Sequence, residues 1–386
     1  MNPLARLVAS HTSRSLVLRR AACAVVVVGS FGLTACGGGG GGARGGANEP
    51  PARELSVVTQ NVYYGTEFDA VIEAVSLGDP EAIVGAVTRA WAEIRANDFA
   101  ARADAIANGI ALHRPDFIGL QEAALYRVQS PSDAFTESPT PATEVALDYA
   151  QMVIDALARR GLAYERVASV ESLDVELPGL DDEGAALQDV RITDRDVLLA
   201  RRDLAAEGIA LLDPRSGLFA NAVVLESGIA IRSGWVSIDA NVAGRLVRIV
   251  STHLASGVED VQRAQAVELL AGPLAGAEAA VLVGDLNSDA LGGAGPDATA
   301  TYADLVSAGL SDAWSDAHPT ETGATWGRAG DLATDDPTLT ERIDVALAKG
   351  PLDVLEAERI GANLADRVHG LWPSDHAGVV ARFALR

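Results

Sequence analysis

Six short islands in this 386-residue chain carry acid, amide or imidazole groups at the ends of apolar runs. They are Gln60-Asn61, Gln121-Glu122, Thr252-His253, Gly284-Asp285-Leu286-Asn287, Arg342-Ile343-Asp344 and Ser374-Asp375-His376. Val281-Leu282-Val283 runs straight into Asp285 and Asn287, and Ser374-Asp375-His376 stands just before an apolar stretch from Val379 to Phe383. Polar groups so placed sit at strand ends, and this combination suits metal-assisted hydrolysis of phosphate esters. Mg²⁺ prefers carboxylate and amide oxygens and takes one or two protein carboxylates, a role for Glu122 with Asn61 beside it. A water attacking phosphorus needs a base, which Asp285 or His376 could supply. The phosphate oxygens need donors, which His253, Asn287 and the metal could provide. His376 also needs an acid to fix its tautomer, and Asp344 is the candidate. Singly, each island reads as well as a hydrogen-bonded strand terminus or a turn; their joint occurrence points to one site.

The elements that would position these groups follow from periodicity. Alternation predicts a strand over 55–62 and a helical stretch over 68–91. A further helix starts at Asp98, with Ala103, Ile106, Ala107 and Ile110 on one face, and His113-Arg114-Pro115 stops it. A short buried strand, 117–120, delivers Gln121-Glu122. Residues 130–143 are rich in Pro, Ser and Thr and read as loop; 144–160 reads as a helix ending at Gly161. The acidic, glycine-containing 172–189 stretch reads as a surface excursion. Strands are expected at 196–201, 208–212, 221–226, 234–239 and 245–252, the last two as a hairpin turning through 241–244. A helix at 258–270, a strand at 279–284, a helix at 302–308 and strands near Asp344 and the C-terminus complete the series. Strands in part hairpin-linked and in part separated by helices imply packed sheets with helices outside.

The N-terminal residues read as a targeting segment. Arg6, Arg14, Arg19 and Arg20 form a basic region ahead of an apolar stretch at 21–32, too short to span a bilayer. Leu33-Thr34-Ala35-Cys36 resembles a bacterial lipobox, which makes 1–35 a lipoprotein signal peptide and Cys36 the lipidated residue. An ordinary cleaved signal with an incidental cysteine is the competing reading. Residues 36–52 form a Gly-rich flexible tether, leaving 53–386 as the folded domain. The expected location is the bacterial envelope, anchored to a membrane through Cys36, and no protein partner is evident.

The chain has two cysteines, Cys23 and Cys36, so the domain holds no disulfide and its stability must come from its core. Hydrophobic residues make up 48%, enough for one. Loss of residues 1–35, with four arginines and no acid, takes the formal net charge from −23 to −27. Such a surface repels polyanions and works against non-specific grip on nucleic acid.

In order and local context, the six islands resemble the endonuclease/exonuclease/phosphatase superfamily. Its members include pancreatic-type deoxyribonucleases, abasic-site endonucleases, bacterial sphingomyelinases and inositol-phosphate phosphatases. Its N-terminal strand ending in Asn is matched by Asn61, its Leu-Gln-Glu by Leu120-Gln121-Glu122, and its Thr-His-Leu by Thr252-His253-Leu254. Its Gly-Asp-Phe-Asn is here Gly284-Asp285-Leu286-Asn287, and its Arg-Ile-Asp and Ser-Asp-His are present unchanged. The resemblance covers roughly 55–386. It implies an α/β fold of two packed, mainly antiparallel β-sheets flanked by helices, a four-layer sandwich of deoxyribonuclease type.

By the same resemblance, Glu122 binds a divalent metal, Mg²⁺ or else Mn²⁺, with Asn61 helping and Asp375 orienting the site or joining the metal. Asp285 and Asn287 handle the attacking water and the phosphate. His376, oriented by Asp344, and His253 stabilise or protonate phosphate oxygens, and the general base is assigned jointly to Asp285 and His376. Arg195-Asp196 resembles a phosphate-contacting segment; strand-end acids are the plain alternative for Asp194 and Asp196.

Two departures from the family pattern stand out. Ala377-Gly378 follows Ser-Asp-His where many members have a bulkier residue and proline. Stretches 64–98 and 130–189 exceed a minimal member, and long insertions here would lie near the site mouth. Tyr63, Tyr64, Phe68 and Trp91 could line that mouth, with helix core the plainer reading for Trp91. The expected activity is a Mg²⁺-dependent phosphodiesterase using a metal-held water activated by Asp285 and His376. The substrate is then a small molecule, a lipid head group or nucleic acid. A nuclease is the first alternative, weakened because Lys349 is the only lysine. A catalytically inactive binding or scaffold lipoprotein is the second. No His-Glu-x-x-His, Gly-x-Ser-x-Gly or phosphate-cradling glycine motif is present.

Overall fold

A computed structural model describes residues 54–386 apart from 226, 227, 229, 294 and 296, so the signal, lipobox and tether readings lie outside the described residues. The first sheet draws on β1 (Glu54–Asn61), β2 (Phe117–Gln121), β3 (Leu125–Gln129), β4 (Glu144–Asp148), β5 (Tyr164–Leu180) and β6 (Leu187–Arg201). The second begins with β7 (Ile209–Leu218); β8 (Val223–Val224) and β9 (Ala230–Ile231) form a small ribbon of their own. Then follow β10 (Gly234–Val242), β11 (Arg245–His253), β12 (Ala279–Asp285), β13 (Ser311–Asp312) and β14 (Asp344–Lys349). The chain returns to the first sheet with β15 (Leu352–Ile360) and β16 (Gly378–Leu385).

Strand order in the first sheet is β15-β16-β1-β2-β6-β3-β4, with β5 along the other edge of β6; in the second it is β13-β14-β12-β11-β10-β7. Pairing is antiparallel except for β1 with β2 and β11 with β12, where helices intervene. Such crossovers are what parallel neighbours require.

Side-chain alternation explains both the core and the site. Leu55 and Val57 on β1, Val247 and Ile249 on β11, and Val281 and Val283 on β12 point into one cluster between the sheets. Leu198 and Ala200 on β6, with Ala346 and Ala348 on β14, join it. The intervening residues Val250, Leu282, Val345 and Leu347 face the other way, into a second cluster with Ala266, Leu269 and Leu305 of the Glu259–Ala271 and Thr301–Ser307 helices. A fully buried side chain of this kind contributes about 1.5–3 kcal/mol.

Near one end the inward faces turn polar. Thr59 Oγ donates to Gln121 Oε1 at 3.0 Å, and Gln121 Nε2 crosses to Ser251 Oγ in the other sheet at 3.0 Å. The sheets come so close here that a Cβ on Gly119 would lie 2.5 Å from the Ser251 hydroxyl.

Four expectations need correction. The helical stretch at 68–91 is two helices, Asp69–Leu77 and Pro80–Ala96, broken at Gly78 (φ 67°) and restarted by Asp79, whose carboxylate caps Glu81 N with Pro80 behind it. The helix expected from 144 begins at Tyr149, because residues 144–148 pair with β3 and Asp148 serves as N-cap, accepting from Gln151 N. The surface excursion at 172–189 is the outer half of a long β5–β6 hairpin, paired from Tyr164↔Arg201 to Leu180↔Leu187. Asp174 and Glu176 alternate with Leu173, Val175 and Leu177, and the acidic turn at 181–183 hides this period of two. The strand at 221–226 shrinks to β8. The β10–β11 hairpin turns where expected, through Ala243 and Gly244 at positive φ.

Candidate active site

The polar end of the sandwich gathers all eight of the residues read as catalytic or metal-binding. His253, Asp285 and Asp344 stand side by side across three neighbouring strands: His253 pairs with Asp285, and Asp285 with Asp344. Asp285 and Asp344 are the next inward positions beyond the core residues of their strands, and His253 follows the inward Ser251 on β11. His253 Nε2 lies 3.6 Å from Asp285 Oδ2. The strand can end this way because Gly284 lacks a side chain; a Cβ there would sit 2.0 Å from the Thr252 carbonyl oxygen. Asp285 Oδ1 then accepts from Asn287 N at 2.8 Å, closing a tight turn with Asn287 at φ 47°. The turn is real, and the site is built on it. Asn287 Nδ2 is fixed by the Leu254 carbonyl at 2.9 Å.

The first sheet contributes the opposite wall. Asn61 ends β1 beside Gln121, and its Nδ2 donates to Glu122 Oε1 at 2.9 Å and to Asp285 Oδ2 at 3.0 Å, bridging the sheets. Glu122 holds a left-handed φ of 55°, a strain worth about 1–3 kcal/mol outside glycine. Its second oxygen accepts from Tyr64 N at 2.9 Å. It keeps surface open to the pocket, yet loss of water, then the Asp375 charge, pushes its carboxyl well above the usual range.

The Ser374-Asp375-His376 loop closes the ring. Ser374 Oγ bonds the Asn61 carbonyl at 2.8 Å, and His376 N donates back to Ser374 Oγ at 3.2 Å. His376 Nδ1 meets Asp344 Oδ2 at 2.8 Å, while Nε2 lies 3.9 Å from both Asp285 Oδ2 and Asp375 Oδ2. Burial works against a charged imidazole, but Asp344, Asp375 and Asp285 outweigh it and raise the His376 pKa well above the ordinary value. Asp344 is itself held above the usual carboxylate range by burial, with His376 opposing.

This arrangement of strand-end carboxylates and paired histidines has known relatives. The Endonuclease/Exonuclease/phosphatase family model matches residues 58–376. The chain belongs to that family. Family members are hydrolases acting on phosphoesters, among them metal-dependent phosphoesterases and nucleases. An endonuclease/exonuclease/phosphatase family protein from Leptotrichia buccalis superposes with a TM-score of 0.52 at 18% identity, over 86% of this chain and 100% of that one. One from Bacteroides thetaiotaomicron gives 0.50 at 14% identity, over 87% and 99%. At such identities the likeness shows the fold, the four-layer sandwich expected from the sequence. No curated protein matches the chain.

The donor set fits the divalent cation on which the family typically depends. Glu122 and Asp375 offer carboxylate oxygens close enough for each to feel the other's charge, the chemistry Mg²⁺ prefers. Asn61, its Oδ1 accepting from Tyr63 N, braces Glu122 through Nδ2. Asp285, Asp344 and His376 bring ligand-capable atoms within 4.8 Å of one another. Buried oxygens of Asp194, Asp196 and Asp344 have no protein hydrogen-bond partner, the state of groups that await a cation, a proton or water.

The structure separates Arg195 from its neighbours. Alternation along β6 sends Asp194 and Asp196 into the pocket and Arg195 out of it. Arg195 is buried behind the Glu122 loop, where Nε donates to the Ala123 carbonyl at 2.9 Å and NH2 to Asp148 at 2.6 Å. It braces that loop and does not line the pocket. Nor are Asp194 and Asp196 strand-end acids; they lie mid-strand. Burial, then Asp194, Glu122 and Asp285, hold Asp196 well above the usual carboxylate range.

Four further residues bear on the site without having been read from the sequence. Asp297 and Trp326 line the pocket. Arg102, 1% exposed, donates to the carbonyls of Val62, Tyr63 and Pro373, and Arg328 to those of Ser374, His376 and Gly361. Tyr63, Tyr64 and Phe68 line the pocket, and Trp91 does both jobs considered for it, 5% exposed in the core with one edge on the pocket.

Proposed function

We propose that the protein is a Mg²⁺-dependent phosphodiesterase. The observation that carries this reading is the single contact network running Glu122–Asn61–Asp285–His376–Asp344, which puts the Glu122 carboxylate and a histidine–carboxylate pair around one space. Glu122 and Asp375, helped by Asn61, would hold the cation, with Mn²⁺ able to replace it. Once bound, the cation neutralises charge on the phosphate and favours ionisation of water. Asp285 takes the attacking water's proton, and His376, held protonated by Asp344, Asp375 and Asp285, donates toward the phosphate and the departing oxygen. The water oxygen forms a bond to phosphorus as the bond to the ester oxygen breaks, and that oxygen leaves with a proton. His253 and Asn287 contact the phosphate oxygens, and Asp344 holds the His376 ring.

Charge favours a small diester over nucleic acid. The chain has 53 acidic against 30 basic residues, and the buried arginines Arg102, Arg195 and Arg328 are engaged with the protein's own carbonyl and carboxylate groups. A long duplex is bound through clustered free cations. With the N-terminal residues as a lipoprotein signal and Cys36 lipidated, the enzyme is exported and works beside a membrane of the cell envelope, where phospholipid is at hand.

Comparing bis(p-nitrophenyl) phosphate, p-nitrophenyl phosphate and plasmid DNA under Mg²⁺ tests the class. Turnover of the diester well above the other two is the expected result. Preference for the monoester refutes the diesterase assignment, and preference for DNA makes the enzyme a nuclease and refutes the small-diester reading.

A further inference from the structure

The pocket that holds Glu122, Asp285 and His376 extends well beyond them. Its volume is about 540 Å³, within the ~300–1,000 Å³ of small-ligand pockets, and much of its wall is aliphatic. On the β5–β6 hairpin, Leu173, Val175 and Leu177 pair with Asp194, Ile192 and Val190. One sheet face therefore runs without interruption from branched alkyl side chains to Asp194 and Asp196, and from there to the catalytic floor. Across from it the Asp69–Leu77 helix presents Ile72 and Val75, and the Pro80–Ala96 helix presents Val87 and Ile94.

The spacing of these walls is fixed. Leu180 N donates to Thr88 Oγ1 at 2.8 Å, Arg95 pairs with Asp182, and Gly179 meets Val87 so closely that a Cβ would lie 3.0 Å from the valine methyl. Apolar walls held around open space forfeit dispersion contacts that a matching ligand would restore. A nucleobase would lose the hydrogen bonds of its edges against these side chains. A second phosphate would face Glu67, Asp194 and Asp196, with Arg232 the one arginine among the described lining residues.

From the continuity of this chamber with the catalytic floor, we infer that the substrate is a phosphodiester bearing an aliphatic chain, and that the chain lies between the β5–β6 hairpin and the two helices. The inference rests on the phosphodiesterase reading and adds the class of group attached to the phosphate.

The test uses the full-length chain with Mg²⁺ and p-nitrophenyl phosphodiesters of methyl, butyl, octyl and dodecyl alcohol, all below their micelle-forming concentrations. Specificity, kcat/KM, is expected to rise by up to about fourfold per methylene and level off once the chamber is filled. Val175→Asp or Leu177→Asp should abolish that rise while leaving the methyl ester within about twofold. Ile72→Trp, which fills the chamber rather than charging it, should move the plateau to shorter chains.

Calorimetric titration with dodecyl phosphate against methyl phosphate gives a readout independent of turnover. Specificity flat with chain length, dodecyl phosphate binding no tighter than methyl phosphate, or a thymidine p-nitrophenyl phosphodiester outpacing the dodecyl ester would each overturn the inference. Tight dodecyl phosphate binding without turnover of any diester would sink the phosphodiesterase reading and leave the chamber an alkyl-binding site.

Discussion

His376 Nδ1 lies 2.8 Å from Asp344 Oδ2, and the two residues come from different sheets: Asp344 opens β14, and His376 stands just before β16. Both are buried, so the carboxylate fixes the ring against rotation and keeps the proton on Nδ1. Nε2 is thereby aimed at the space between Asp285 and Asp375, 3.9 Å from each.

Asp344→Asn removes the charge while keeping the shape. Turnover should drop by about 10²–10⁴-fold, the range for losing a positioned acid–base group. KM should change by less than about threefold, because Asp344 does not touch substrate. Steady-state kinetics separates the two, and a rise in KM at unchanged kcat would contradict the assignment.

Glu122 should act through the cation. Glu122→Gln is expected to raise the Mg²⁺ concentration for half-maximal activity by about tenfold or more, with partial recovery at saturating metal. A Mg²⁺ titration of activity checks this; an unchanged midpoint would remove Glu122 from the metal site.

Asp297 makes stability depend on pH. Burial, then the charges of Asp285 and Glu341, push its carboxyl from 3.8 up to about 7. The folded protein then holds a proton that the unfolded chain releases, so the stabilisation is complete below the unfolded value of 3.8 and lost as pH rises through about 7. Melting temperatures should therefore fall less steeply over this interval in Asp297→Asn than in the parent. Parallel profiles would contradict the placement.

Arg328 holds the loop that carries Asp375 and His376. Its guanidinium donates to Ser374 O, His376 O and Gly361 O at 3.2, 3.4 and 2.9 Å, and lies 3.8 Å above the Trp372 ring. Arg328→Leu should lower stability by about 2–5 kcal/mol, since it strands buried carbonyls. Arg328→Lys should recover only part, because a point charge cannot reproduce the fork. Chemical denaturation measures both, and a neutral Leu substitution would count against the clamp.

Much of the site was legible because strand alternation is local. Val247-x-Ile249-x-Ser251-x-His253 and Ala279-x-Val281-x-Val283-x-Asp285 declare in one line which residues face inward and where the face turns polar. Clamps such as Arg102 on the Pro373 carbonyl, 271 positions away, leave no local trace. The β5–β6 hairpin departs from its sequence pattern for a related reason. Its acids Asp174 and Glu176 alternate with Leu173, Val175 and Leu177, but the acidic turn at 181–183 gives the whole stretch the composition of a surface excursion. Nothing local shows that the aliphatic face fronts a chamber. Asp196 reads as a strand end in sequence because the length of β6 depends on pairing with three other strands.

The most direct test of the central claim is hydrolysis of bis(p-nitrophenyl) phosphate by the protein with Mg²⁺, with Mn²⁺ and with EDTA, beside His376→Ala and Glu122→Ala. Turnover that needs the cation and is lost in both variants is the expected result. Turnover that survives EDTA or persists in either variant would contradict it, as would silence under both metals.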